Sequence, residues 1–161
     1  MGKKILVVED SPMTRSLIIS SLEEAGDFTV IEAANGFQAL RKLPEVPPDL
    51  VITDINMPDI NGLEVVRFVK QNENFQHIPV IIVTTEGRDV DRERGLKLGA
   101  DKYLVKPFDE RELRTTINIV LHKATFDQQQ KESRRWAYAV LNSVEEGVIT
   151  TDSNGRIQFM N

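Results

Sequence analysis

The sequence has no cysteine, one tryptophan, two tyrosines and two histidines. The absence of cysteine excludes disulfides and thiolate metal sites, and it fits a reducing, cytoplasmic setting. Long apolar runs are missing as well. Stretches such as Val80–Val83 fall far short of the roughly 20 residues that span a bilayer. Lys3-Lys4 followed by Ile5–Val8 is too short, and turns acidic too soon, to be a signal peptide. No positive excess exists either. The formal net charge is −5, which removes the electrostatic case for nucleic-acid or membrane binding. From Arg88 to Arg114 eight basic and seven acidic residues mix, as on solvated helix faces. His77 and His122 have no carboxylate or second histidine at ligand spacing. They read as surface residues, and Met13 and Met57 as packing residues in loops.

What is present is ordinary globular composition, 40% hydrophobic and 28% charged over 161 residues. That length suits one full domain and a little more. Short apolar runs recur, each bounded by turn or cap signals: Ile5–Val8, Phe28–Ile31, Leu50–Thr53, Val80–Val83 and Tyr103–Val105. They read as strands buried on both faces of a parallel sheet.

Helical patterns separate them. Ser11-Pro12 supplies a cap and a first-turn proline, Met13, Leu17, Ile18 and Leu22 form an apolar face, and Gly26 is a stop. A short helix spans Asn35 to Leu43, closed by Pro44. Asn61 caps a third, carrying Leu63, Val66, Phe68 and Val69, and Arg88 to Leu98 is a fourth, ended by Gly99. Asp109 caps a fifth with Leu113, Ile117, Val120 and Leu121. Strands alternating with helices at this spacing predict βαβ units, hence a five-stranded doubly wound α/β sandwich.

The fifth helix has no stop signal, because neither Gly nor Pro occurs from Thr115 to Ala137. One helix is expected from about Asp109 to about Ser143. Its apolar spacing lapses over Gln128–Arg135 and resumes at Trp136, Val140 and Val144. It reads equally as a solvated linker and as a coiled-coil connector that pairs two chains into a homodimer. Beyond Gly147, Val148–Thr151 and Arg156–Phe159 read as a hairpin with an Asn154-Gly155 turn. The pattern stops in mid-course at Asn161, so a longer protein is expected.

Chemistry concentrates at strand ends. Glu9 and Asp10 end the first strand, Asp54 the third and Thr84 the fourth, and Lys106 follows the fifth. Parallel strands bring these groups to one sheet edge, where open α/β sheets place ligands. Crowded carboxylates repel, and a hard cation such as Mg²⁺ relieves the repulsion. A phosphoryl group arriving at Asp54 would then be neutralised by the metal, Lys106 and the Thr84 hydroxyl, with Asp54 as nucleophile.

These residues, Glu9-Asp10, Asp54 with Met57-Pro58, Thr84 and Lys106-Pro107, resemble the receiver domain of response regulators in two-component signalling. The resemblance covers residues 3 to about 122. It implies a CheY-like, flavodoxin-type sheet of strand order 2-1-3-4-5. It implies that Asp54 accepts a phosphoryl group from a phosphohistidine on a histidine kinase or histidine phosphotransfer protein. Phosphotransfer and dephosphorylation would be self-catalysed, rather than the work of a free-standing enzyme. Mg²⁺ would be held by Glu9, Asp10, Asp54 and the Asn56 carbonyl. Thr84 and Tyr103 match the family's switch pair, and the Lys106-Pro107 peptide is expected to be cis. Asn56 and Glu86 match rate-tuning positions. Thr85 stands where the family usually has a smaller residue, a departure that would slow exchange.

A second resemblance covers Val140–Asn161, which is similar to the opening of a PAS sensor domain. The expected organisation is a receiver over 1–123, a linker helix over 124–143 and a PAS-like start over 144–161. The output beyond it, enzymatic or otherwise, is not encoded here.

Competing chemistries fit less well. A phosphatase on a similar sheet wants its nucleophile on the first strand with a second aspartate two residues on, and Glu9-Asp10-Ser11-Pro12 has none. A nucleotide or flavin binder wants a Gly- or Ser/Thr-rich phosphate loop, and Ser11-Pro12-Met13-Thr14 is a poor match. A non-phosphorylated docking receiver has no need of the intact acidic pair, Thr84 and Lys106.

Overall fold

Alternation along the strands decides the core of this protein. In the first strand Ile5 and Val7 face one way, and Leu6 and Val8 the other. Both sets are buried, so helices must cover both faces. The computed structural model, which describes residues 2–24, 26–85, 89–143 and 149–160, shows that arrangement. Its elements run β1 (Lys3–Val8), α1 (Pro12–Glu24), β2 (Phe28–Ala33), α2 (Gly36–Glu45), β3 (Leu50–Thr53), α3 (Gly62–Gln71), β4 (Val80–Thr84), α4 (Asp89–Lys97), β5 (Lys102–Val105), α5 (Glu110–Ser143), β6 (Ile149–Thr151) and β7 (Ile157–Met160).

The first unit, ending at Ala124, holds a parallel sheet of order β2-β1-β3-β4-β5. Helix α1, through Ile18 and Leu22, shares one face with Leu113, Ile117 and Val120 of α5. The other face is covered by Ala39 and Leu43 of α2 and Val65, Val66 and Val69 of α3. Each fully buried Val, Leu or Ile among these stabilises the fold by roughly 1.5–3 kcal/mol. The strand order reverses beside β1, so the crevice at the carboxyl ends of β1 and β3 is where a ligand is expected.

Local signals mostly hold. Asn61 makes a full capping box with Glu64, and Asn35 caps α2 through Gln38. Asp109 accepts from the Glu112 N–H at 2.7 Å. Gly99 ends the α4 turn at φ +103°, and Gly26 sits at +74°, both left-handed values that suit glycine.

Several expectations need correction. Only β1, β3 and β4 are buried along both faces. The edge strands β2 and β5 are largely half-buried or exposed, because no neighbour covers their outer side. Met13 lies in α1 rather than a loop, and it and Leu17 are exposed at 77% and 65%. Only Ile18 and Leu22 of that face reach the sheet. Pro44 does not stop α2; it sits in the last turn, and the helix closes one residue later at Glu45. Phe68 lies at the margin of the α3 core face, its ring tilted by 30° against that of Phe75 with centroids 6.1 Å apart. Arg88, the expected start of α4, lies outside the described residues.

Helix α5 extends over 34 residues to Ser143, as the missing stop signals predict. Beyond Lys123 it is mostly exposed, with Trp136 at 71% and Val140 at 40%. No helix among the described residues is long and apolar enough to cross a membrane.

The second unit, Thr125–Asn161, includes an antiparallel hairpin of β6 and β7 with Thr151 paired to Ile157. Between them the Gly155 N–H donates to the Asp152 carbonyl at 3.0 Å, so the expected Asn154-Gly155 turn is present, and the Asp152 N–H donates to the Arg156 carbonyl at 2.9 Å. Asp152 organises the turn: its carboxylate accepts the N–H of Asn154 at 2.8 Å and of Arg156 at 2.9 Å. Gly155 takes φ +77°. Val144 and Val148 of the expected pattern lie outside the described residues.

Candidate functional site

Glu9 follows the last residue of β1. Its N–H donates to the Ala33 carbonyl of β2 at 3.1 Å, so pairing with the sheet continues one residue past the strand. Its side chain is 2% exposed. A carboxylate that dry needs partners: Oε1 accepts the Ser11 N–H at 3.0 Å, and Oε2 accepts Lys106 Nζ at 2.6 Å. Asp54, at the end of β3, is anchored by its N–H to the Val8 carbonyl at 3.0 Å. Glu9, Asp10 and Asp54 each offer an oxygen within 4.8 Å of the others, Asp10 being the exposed member.

Asp54 is the strained partner. Its Oδ1 is buried without a hydrogen bond and lies 3.7 Å from Lys106 Nζ, an ion-pair distance but too long for a hydrogen bond. Burial pushes the Asp54 carboxyl above its ordinary value. Lys106 opposes this, Glu9 adds to it, the Ile55 N–H opposes it and Asp10 adds to it. A buried carboxylate oxygen without a donor, facing two more carboxylates, is a donor set suited to a hard divalent cation. The residues present therefore fit Mg²⁺.

Lys106 is aimed from β5. Its N–H donates to the Thr84 carbonyl at 2.8 Å, and its peptide bond to Pro107 is cis, as expected. Thr84 is fully buried at the end of β4, paired in register with Val105.

The structure thus brings together Glu9, Asp10, Asp54 and Lys106, with Thr84 on the adjoining strand. Tyr103 is half-buried in β5 and packs on the core beneath α2 and α3. Asn56 and Thr85 are exposed next to the strand ends. Glu86 lies outside the described residues. Met57 is buried as packing, whereas His77 and His122 are exposed.

Two residues that the sequence reading passed over matter here. Arg15, in the first turns of α1, donates from Nη1 to the Glu9 carbonyl at 2.8 Å. Gly62 packs against the acceptor's own backbone. A Cβ there would lie 1.9 Å from the Asp54 carbonyl oxygen and 2.8 Å from its carbon. Neither atom is a flexible side-chain end, so the β3 terminus would have to move. Gly62→Ala is expected to destabilise the protein by about 2–3 kcal/mol, read as a lower urea midpoint. An unchanged midpoint would show that the loop absorbs the methyl group.

Comparison with known proteins agrees with this geometry. The profile of the response regulator receiver domain matches residues 5–118. The chain is 40% identical over 119 residues to the chemotaxis protein CheY1 of Helicobacter pylori, covering 73% of this chain and 96% of that one. It is 40% identical over 130 residues to a probable transcriptional regulatory protein of Picosynechococcus, covering 76% of this chain and 51% of that protein. It is 37% identical over 123 residues to the phosphate regulon regulator PhoB of Escherichia coli, covering 76% and 53%. The chain spans about half the length of those two regulators. Among solved structures, chemotaxis protein CheY4 of Vibrio cholerae superposes with TM-score 0.70 at 34% identity, covering 74% of this chain and 99% of that one. The receiver domain of a sensor histidine kinase from Pseudomonas aeruginosa, solved with a magnesium ion in its active-site cleft, superposes with TM-score 0.70 at 31% identity, covering 76% and 99%.

Proposed function

The chain belongs to the response regulator receiver family, and on that premise we propose that it is a phosphorylation-driven switch with Asp54 as phosphoacceptor. The observation that carries this reading is the Asp54 carboxylate: buried, with one oxygen unbonded, 3.7 Å from the Lys106 ammonium. Elsewhere such a group would be a cost without return. At a strand end facing an acidic pair it is a nucleophile.

In the proposed reaction an Asp54 carboxylate oxygen attacks phosphorus in line with the bond to the donor. The new O–P bond forms as the P–N bond to a partner's phosphohistidine breaks, and the departing imidazole takes a proton from solvent. Glu9, Asp10, Asp54 and the Asn56 carbonyl would hold Mg²⁺, which when bound supplies positive charge to the phosphoryl oxygens. Lys106 supplies a second positive charge, and the Thr84 hydroxyl a hydrogen bond. Engagement of Thr84 draws the Tyr103 ring inward and shifts the face formed by α4, β5 and α5 between two packings. Asn56, Thr85 and Glu86 set how long the phosphoryl group lasts.

The partner in this reading is a histidine kinase or histidine phosphotransfer protein in the cytoplasm, with no nucleic acid or membrane contacted by this segment. The signal leaves through the long α5, as a linker that can pair two chains, toward a PAS-containing output that begins at 144–161. Any enzymatic activity would belong to that output.

The test is incubation with Mg²⁺ and a small-molecule phosphodonor, followed by intact mass. Wild type should gain one phosphoryl group, and Asp54→Asn none. No adduct with any donor or divalent metal would replace this reading with a docking receiver.

A further inference from the structure

We propose that Arg15 is a positioning residue for the acidic pair, holding the Glu9–Asp10 peptide so that both carboxylates face the metal. This rests on the Mg²⁺ site proposed above and extends it to a residue outside the ligand set. Glu9 lies beyond the end of β1, where a carbonyl has no ladder partner. Arg15 Nη1 fills that vacancy, donating to the Glu9 carbonyl at 2.8 Å. The same guanidinium is tethered by Nε to Glu32 Oε2 on β2, at 3.2 Å. Its side chain is only 18% exposed, so it is held in place rather than waving in solvent. The Glu9 N–H is bound on its other side to Ala33. Both polar groups of the Glu9 backbone are therefore fixed.

The Glu9 carbonyl and the Asp10 N–H belong to one rigid plane. Fixing that oxygen fixes the direction in which Asp10 leaves the chain. Asp10 is exposed, so surrounding side chains do not lock its carboxylate as burial locks that of Glu9. Its aim depends on the backbone, and Arg15 sets the backbone.

The guanidinium has two effects of opposite sign. As a nearby positive charge it repels a cation from the pocket. As a hydrogen-bond donor it preorganises ligands, a role whose loss costs on the order of 10–100-fold in metal affinity. The structure assigns the larger effect to positioning, because the bond is short, part-buried and anchored at its far end. Removing Arg15 should therefore weaken Mg²⁺ binding, although it removes a like charge.

Mg²⁺ affinity is measured by calorimetry on wild type, Arg15→Ala, Arg15→Lys and Glu32→Gln, each checked for fold by far-UV circular dichroism and thermal midpoint. Arg15→Ala should bind Mg²⁺ about tenfold more weakly. Arg15→Lys keeps the charge but cannot span both acceptors, and should fall between Arg15→Ala and wild type. Glu32→Gln, which loosens only the tether, should show the smallest loss. Phosphorylation of Arg15→Ala should return to near the wild-type rate at saturating Mg²⁺. Equal or tighter Mg²⁺ binding by Arg15→Ala in a folded protein overturns this inference and leaves Asp54 as acceptor untouched. Absence of Mg²⁺ binding by wild type itself overturns both.

Discussion

Lys106→Met is expected to lower stability by about 3 kcal/mol in metal-free buffer, the usual cost of removing one partner from a buried ion pair. The cause is Glu9 rather than Asp54. Glu9 is 2% exposed and gives its Oε2 to Lys106 at 2.6 Å, whereas Lys106 stands 3.7 Å from Asp54. Methionine keeps most of the volume but leaves a dry carboxylate without its cation. Added Mg²⁺ should recover much of the loss, because it supplies the missing positive charge. Phosphorylation should not recover with it, falling on the order of a hundredfold, since one stabilising charge on the transferring group is gone. Urea denaturation with and without Mg²⁺ measures the first effect, and timed intact mass the second. A variant as stable as wild type in chelator would show that Glu9 does not depend on this ion pair.

Asp54→Asn is expected to change stability in the other direction. Burial raises the Asp54 carboxyl above its ordinary value, with Lys106 only partly opposing it. A carboxyl raised on folding contributes stability that is fully present below the ordinary carboxylate pKa. That contribution is lost as pH rises through the folded-state value. Above that folded-state value the ionised, underbonded Asp54 is thus a burden that asparagine removes. In chelator at neutral pH the variant should be the more stable protein. Its advantage should shrink as pH falls below the carboxylate range. With Mg²⁺ the order should reverse: wild type gains RT ln(1 + [Mg²⁺]/Kd), about 2.7 kcal/mol at a hundredfold excess over Kd, and the variant, lacking a ligand charge, gains far less. Melting curves across pH, with and without Mg²⁺, check this. A pH-independent difference in chelator would contradict the strain assigned to Asp54.

Both predictions depend on distances, and that marks how much the sequence discloses. The sheet was legible because Ile5–Val8, Leu50–Thr53 and Val80–Val83 are continuous apolar runs, a pattern that only two-sided burial produces. The strand-end residues were legible for a related reason: parallel strands bring their carboxyl ends to one edge, so Asp54, Glu9 and Lys106 had to meet. The preference of Lys106 for Glu9 was not legible, because it turns on about 1 Å within that meeting. Arg15 looked like one more charge on a helix, since its partner is a backbone carbonyl that no residue type announces. Gly62 gave no signal beyond following a cap, although its missing Cβ makes room for the Asp54 carbonyl. In the hairpin, Asn154-Gly155 marked the turn, but the Asp152 carboxylate that braces it through two N–H groups was not legible. Side-chain capture of backbone N–H groups is a local device that spacing alone does not reveal.

The most direct test of Asp54 as the acceptor is chemical trapping. A carboxylate carrying a phosphoryl group is an acyl phosphate, which borohydride reduces to the alcohol. Wild type treated with Mg²⁺ and phosphodonor, then reduced, digested and sequenced by mass spectrometry, should carry homoserine at position 54 and nowhere else. Homoserine absent from position 54, with the reduced residue at Asp10 or Glu9 instead, would contradict the account.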